Sequence, residues 1–383
     1  MKKILIIALV VIVAFAAAAC SKTPTPEASA SPSSVAASAE IVAPSASASA
    51  SASAAGNVSP TTGLPGNTEY RPVQVQIDNE STGRPQWGIQ SADIVYEAEI
   101  EGGATRLSAI FNDTLPEKVG PVRSSRVYFQ WIQNEWDSIY LHNGGAYNKE
   151  SKYAYCKTAD NGWDMNVNID FQFAHVVKKM EVAGSVSESI GWDEKLGYTL
   201  TNVKAAEEEY SYERTERDPL FKFDSNVDYS KYTDFTKVGI PFTGSSNGGD
   251  AQVEYVYDKS TDLMTRYNFG DPFVEADTGD AVTVQNVIVQ YVEESTIHDG
   301  ADHQLIGMVG SGKAEFFVGG KHLTGTWEKA DRHAGTVYKL DDGSDLVLKP
   351  GNTWIAVQRN TESISVDGTK TQKTSSKTSD DDD

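Results

Sequence analysis

From Ser21 to Glu69 the chain is built almost entirely from Ser, Ala, Pro, Thr and Gly, and Ser45 to Ala55 is only Ser and Ala. A stretch like this has little apolar surface to bury and cannot offset the entropy of ordering its backbone. Residues 21–69 therefore read as a flexible tether. Dense Ser and Thr near Pro also suit O-glycosylation. Residues 360–383 form a second polar tail, rich in Ser, Thr and Lys with an acidic end. Whatever folds must come from residues 70–359. Roughly 290 residues are near the length at which one core divides into two.

The tether has something to hold on to. Met1 is followed by Lys2 and Lys3, an apolar run from Ile4 to Ala19, and Cys20. A short basic region, an apolar stretch and small residues before a cleavage point describe a secretory signal peptide over residues 1–20. Ala17-Ala18-Ala19-Cys20 resembles the lipobox of bacterial lipoproteins. The expectation is a cleaved leader with Cys20 lipidated, a palmitate-type anchor inserting the mature N-terminus into the bilayer. The protein would then sit on the extracellular face of the cytoplasmic membrane. Two alternatives stay open: an uncleaved anchor, slightly short of the ~20 residues a spanning helix needs, and free secretion.

The only other cysteine is Cys156. With Cys20 lipidated it has no partner within the chain, so no disulfide staples the fold despite an oxidising location. A formal charge of −21 survives removal of both tails. Nucleic-acid binding needs clustered Lys and Arg, so a nucleic-acid partner is excluded.

Alternation gives the folded part its outline. Arg71 to Asp78 reads as a strand with Val73, Val75 and Ile77 on one face. Asp93 to Glu101 and Ala104 to Phe111 follow as strands around the Gly102-Gly103 break. Ser124 to Glu135 suits a helix, with Ser124 or Ser125 as its cap. Ser138 to His142 is the next buried strand, and 171–187 and 204–214 are helical. The pattern changes near 220–245. Alternating stretches at 250–257, 263–269 and 281–293, then closely spaced Gly turns and a last strand at 353–357, describe an antiparallel β-rich unit. The expected fold is α+β: a layered α/β-type domain at 70–230 followed by a β-rich domain at 240–359. Strand 281–293 is long enough to complete a sheet begun in the first half.

At this point several long motifs carry a family resemblance. Arg71-Pro72-Val73, Arg84-Pro85-Gln86, Ala92-Asp93-Ile94-Val95-Tyr96-Glu97, Glu101-Gly102-Gly103-Ala104-Thr105-Arg106 and Gly120-Pro121-Val122-Arg123-Ser124-Ser125-Arg126 resemble the YerB-like lipoproteins of Gram-positive bacteria. Asn286-Val287-Ile288-Val289, Gly325-Thr326-Trp327 and Pro350-Gly351-Asn352-Thr353-Trp354-Ile355 are similar to that family's companion C-terminal domain. The resemblance implies a cell-envelope lipoprotein and brings no established activity. Where the family shows Gly-Lys-Pro-His, this chain has Gly270-Asp271-Pro272-Phe273. Gly310-Ser311-Gly312-Lys313 lacks the spacing and the following helix of a phosphate loop and reads as a hairpin turn.

Three arginines are the best candidates for recognition. Arg106, Arg123 and Arg126 lie among glycines near a helix start, and Arg suits bidentate contact with phosphate or carboxylate. The ligand would be an anionic group of an envelope polymer or lipid-linked glycan. The competing expectation is that these arginines pair with Glu97, Glu99 and Glu101 in the fold. Those acids share one strand face by the two-residue period. With Asp78 nearby they could bridge a divalent cation; otherwise no cofactor is expected. His142 is the weak candidate for a catalytic base. Trp327 and Trp354 read as core plugs whose indole nitrogens find partners. The expected function is a binding or assembly factor of the envelope. An enzyme acting on phosphorylated or glycan precursors is the second expectation.

Overall fold

The computed structural model describes residues 58–66, 68–70, 72–142, 168–170, 189–190, 193–194, 218–242, 252–296 and 302–371. Cys20, Cys156 and the helices expected at 171–187 and 204–214 lie outside these residues. In the first half run β1 (Val73–Asp78), β2 (Ile94–Glu99), β3 (Thr105–Phe111), α1 (Val127–Trp136), β4 (Ile139–His142) and β5 (Asn168–Asp170). In the second half run β6 (Lys237–Ile240), β7 (Val253–Asp258), β8 (Leu263–Asn268), β9 (Thr283–Val284) and β10 (Asn286–Val292). They are followed by β11 (Gly310–Val318), β12 (Lys321–Lys329), β13 (Val337–Leu340), β14 (Thr353–Arg359), β15 (Ser365–Val366) and β16 (Thr369–Lys370).

The two halves share one sheet. Among the described residues an 11-stranded sheet runs β13-β12-β11-β10-β14-β2-β3-β1-β4-β5, with Thr233–Asp234 pairing β12 as the remaining strand. Its joint is β14, which lies parallel to β10 on one side and parallel to β2 on the other. A central parallel strand is covered on both faces and reads as a continuous apolar run. Thr353-Trp354-Ile355-Ala356-Val357 fits that requirement, and all five are buried. Domain assignment by sequence half is therefore too simple, because the last core strand of the second half fills the middle of the sheet.

Each face has its own cover. Val75, Ile77, Val95, Leu107, Val289 and Trp354 pack against a second, antiparallel sheet that runs from Asp271–Pro272 through β8-β7-β6-β15-β16, by way of Val238, Ile240, Tyr255 and Met264. Tyr96, Ala98, Ile110, Ile288, Ile355 and Val357 take the opposite face. They pack against Tyr128, Phe129, Ile132 and Trp136 of α1. Covering both faces explains why β1, β2 and β3 are buried at every position although their sequences alternate. The polar half of each strand is satisfied internally: Gln74 Nε2 donates to Ser108 Oγ at 2.6 Å and Tyr140 donates to Gln76 Oε1 at 2.7 Å.

Several sequence expectations are corrected. The tether expected to reach residue 69 ends earlier, because Ser59, Thr61 and Thr62 are buried. Thr61 Oγ1 donates to Asp93 Oδ2 at 2.6 Å, and Thr62 Oγ1 donates to Asp113 Oδ2 at 2.6 Å. Hydroxyls anchored on carboxylates replace the apolar contacts this segment lacks. The tail expected from 360 begins later, since Ile364 is buried and β15 pairs with β6. Arg126, not a serine, is the N-cap of α1 and makes no side-chain cap bond. Ser125 is engaged with Tyr140 instead, at 2.8 Å. Gly310-Ser311-Gly312-Lys313 opens β11 and is no turn. A Cβ on Gly312 would lie 2.6 Å from both Trp327 Nε1 and Tyr291 O, so glycine there serves close packing. Trp327 and Trp354 are both 2 % exposed, as plugs should be.

Because β14 belongs to both halves, loosening it should loosen everything. Ile355→Ala should lower the unfolding free energy in urea by about 2–5 kcal/mol. The transition should stay single when followed by fluorescence and circular dichroism together. Two separated transitions would contradict a shared core.

Candidate functional site

The expected arginines converge at one end of the sheet. Residue 106, the second of β3, lies directly opposite Asp78, the last residue of β1. The segment after β3 returns to the same place, with Arg123 N–H donating to Gln76 O at 2.9 Å. Arg123 Nε then donates to Asp78 Oδ2 at 2.9 Å. Arg126, at the start of α1, donates Nε to Glu101 Oε1 at 2.7 Å, forks to the second oxygen of Glu101 through Nη2, and donates Nη1 to Ser125 O at 2.8 Å.

Arg106 differs from its neighbours. It is 6 % exposed, and its Nη1 donates to Ser124 O at 2.7 Å. No carboxylate is bonded to it, and Nε has no hydrogen-bond partner among the described residues. Burial, with the nearby Arg126 charge, pulls its pKa down to about 10. It is still a cation at neutral pH, held by a neutral carbonyl. A buried donor without an acceptor is costly and calls for an explanation.

The acids do not gather as their spacing suggested. Glu97 and Glu99 stay in β2, but Glu101 leaves it through a short 3-10 turn closed by Gly102 at φ 72°. Each carboxylate faces its own guanidinium. Glu97 is fully buried and accepts from Arg266 Nη2 at 3.1 and 2.9 Å, from Asn79 Nδ2 at 3.0 Å, from Thr105 Oγ1 at 2.8 Å and from Trp354 Nε1 at 3.2 Å. Glu99 accepts from Arg359 Nη2 at 2.7 Å, and the same nitrogen reaches Glu294 Oε1 at 3.1 Å. Of the pairings expected within the first half, only Arg126 with Glu101 forms. No group of three or more His, Cys, Asp or Glu among the described residues is arranged to hold a metal ion.

Arg266, Arg359 and Glu294 were missed in the sequence. Arg266 had a signal: it shares the inward phase of β8 with Met264 and Asn268, a charge where an apolar residue belongs. Its guanidinium lies 4.0 Å from the Phe273 ring and 4.7 Å from the Trp354 ring. Phe273 forms one wall of this aromatic enclosure. His142 is buried at the end of β4, with its ring 4.9 Å from that of Tyr140. The Asp93 carboxylate is engaged by Thr61 and by the N–H groups of Asn112 and Asp113, each at 3.0 Å.

Comparison with known proteins places this arrangement. Residues 61–175 match the model "Protein of unknown function (DUF3048) N-terminal domain", and residues 243–355 match its C-terminal domain. The chain is 30% identical over 315 residues to "Putative lipoprotein YerB" of Bacillus subtilis (strain 168), covering 80% of this chain and 88% of that one. It also superposes on the crystal structure of YerB protein from Bacillus subtilis with a TM-score of 0.64 and 29% identity, covering 78% of this chain and 96% of that one.

Two carboxyls give the fold a pH signature. Burial and the Glu99 charge push Glu294 up to about 8, against the opposing pull of Arg359. Burial and Asp113 push Asp93 up to about 7. Both groups hold a proton in the folded chain where the unfolded chain has released it. Their contribution is complete below the ordinary carboxylate range and is lost as pH rises toward 8, by at most about 1.4 kcal/mol per pH unit for each proton. Unfolding free energies from pH 5 to 9 should fall with pH, and Glu294→Gln should flatten that fall. An unchanged slope in the variant would contradict the assignment.

Proposed function

Because the chain belongs to the DUF3048 family, we propose that it is a lipid-anchored envelope protein that binds an anionic envelope polymer through Arg106. Cys20 carries the lipid and residues after it span the distance from the bilayer. The folded body stands on the outer face of the membrane as a binding or assembly factor. The observation that carries the reading is the buried Arg106 guanidinium, whose Nε has no partner among the described residues. Arg123 and Arg126 are held beside it by their own carboxylates, so they shape the approach and raise the local positive potential. A phosphate or carboxylate oxygen supplies the acceptor that Nε lacks, and charge-assisted bonds of this kind are the strong ones. Within a chain of net charge −21, a local surplus of guanidinium also sets where an anion can approach.

The acids do not support metal-assisted chemistry as well, since Asp78, Glu97, Glu99 and Glu101 each face an arginine. The binding reading is therefore preferred to the enzyme reading.

Polyglycerol phosphate is a suitable probe. Arg106→Gln keeps a donor to Ser124 O but removes the charge. It should weaken polymer binding by about 1.5–3 kcal/mol, the scale of a hydrogen bond to a charged group. Equal binding by wild type and variant in calorimetry, or none by either, would reject the reading. Mass spectrometry of the mature protein should find a diacylglycerol thioether on Cys20, and a mature N-terminus elsewhere would reject the anchor.

A further inference from the structure

We propose that the cleft between the 81–86 loop and the 268–274 segment binds a neutral, hydroxyl-rich ring, that is, a saccharide residue. The cleft has a volume of about 380 Å³ and is lined from the first half by Arg84 and Gln86 and from the second by Asn268, Phe269, Asp271 and Phe273. This lies within the ~300–1,000 Å³ typical of small-molecule sites. Its lining includes none of Arg106, Arg123 and Arg126, and it takes a ligand of different charge, so either proposal can fail alone.

Two residues lining the cleft carry buried acceptors without a partner among the described residues. Gln86 is fully buried, and its Nε2 donates to Asp78 O at 2.7 Å and to Asn79 Oδ1 at 3.1 Å. Those two bonds fix the orientation of the amide, because a flipped oxygen would face two other oxygens. Gln86 Oε1 is left without a partner. Asn268, 5 % exposed, likewise leaves Oδ1 without a partner. Buried carbonyl oxygens in this state ask for donors.

The charges around them narrow the choice. Arg84 lines the cleft and is half-buried there, so a cationic donor would meet a guanidinium. An anion would meet the carbonyl oxygens below and the exposed Asp271 beside it. A neutral ligand bearing several O–H or N–H groups satisfies the acceptors and avoids both repulsions.

Phe269 supplies the remaining element. It is 47% exposed and holds φ at 51°, a region a bulky residue rarely occupies. The strained backbone presents its ring at the cleft, with the Arg84 guanidinium 5.7 Å from the ring centroid. An aromatic face beside hydrogen-bonding groups suits the C–H face of a sugar ring, apolar on its flat side and polar at its edge.

The test uses calorimetry on the full chain with two probes, the tetramer of N-acetylglucosamine and maltotetraose, and inorganic phosphate as a third ligand. One tetrasaccharide should bind, and the preferred probe distinguishes an amino sugar from a plain glucan as the source. Phe269→Gly removes the ring at a position where glycine relaxes the backbone. It should weaken binding by about tenfold, the scale of one lost aromatic contact, without lowering the thermal midpoint. Asn268→Leu removes an acceptor that is unsatisfied in the free protein. It should weaken binding while the ligand-free midpoint holds or rises, which a purely structural residue would not do. No heat with either saccharide, equal affinity in Phe269→Gly, or binding of phosphate alone would overturn the proposal. No saccharide binding by the wild-type chain, with polyglycerol phosphate still bound, would overturn it and leave the Arg106 reading standing.

Discussion

The Glu97 to Arg266 ion pair is the fastening on which the rest of the molecule depends. Its two residues lie 169 positions apart, one in β2 of the large sheet and the other in β8 of the sheet packed upon it, and neither side chain is exposed. Removing two charges from water costs several kcal/mol per ion unless the geometry is good and the remaining lone pairs are filled. Here Asn79, Thr105 and Trp354 fill those of Glu97, while Phe273 and Trp354 enclose a guanidinium whose Nε and Nη1 have no hydrogen-bond partner among the described residues. The pair does more for specificity than for stability. A carboxylate buried at this depth tolerates one arrangement of the two sheets, and a register slip of either strand would leave a bare charge in the core.

From that fastening the shape of the surface follows. With Glu97 committed to Arg266 and Glu99 to Arg359, the acids of the first half are not available to Arg106. Arg126 claims Glu101 and Arg123 claims Asp78, so the surplus guanidinium falls on Arg106. The unsatisfied donor is thus a consequence of the core network and not an isolated oddity. A similar logic places Gln86. Its amide nitrogen braces the backbone of Asp78 and the Asn79 side chain, and Asn79 in turn braces Glu97. The orphan oxygen at the cleft is the other end of that brace.

Much of the architecture was legible in the chain. Strands β1 to β3, the helix after Ser124, the change of pattern after 220 and the plugging tryptophans all announce themselves through periodicity. A long second-half strand completing the first-half sheet was also foreseeable, because 281–293 is too apolar for an edge. The finer pairings were not legible. Arg359 reaches β2 through the parallel insertion of β14 and Arg266 through the packing of the second sheet, and nothing local to Glu97 or Glu99 reveals partners so distant in sequence. Ser59, Thr61 and Thr62 were hidden for another reason: composition marks them as tether, while their hydroxyls find carboxylates only once β2 and β3 have brought Asp93 and Asp113 together. Family resemblance identifies the chain's kin but carries no chemistry of its own, so the sites rest on geometry.

One buried pair locks the two sequence halves into a single body, and a double-mutant cycle on Glu97 and Arg266 measures that lock. Glu97→Gln and Arg266→Met alone should each destabilise the protein in urea by about 3–5 kcal/mol, the cost of stranding a buried charge. The double variant should cost far less than the sum, with a coupling of at least about 1.5 kcal/mol at neutral pH. Additive losses, or single variants within about 0.5 kcal/mol of wild type, would contradict the account.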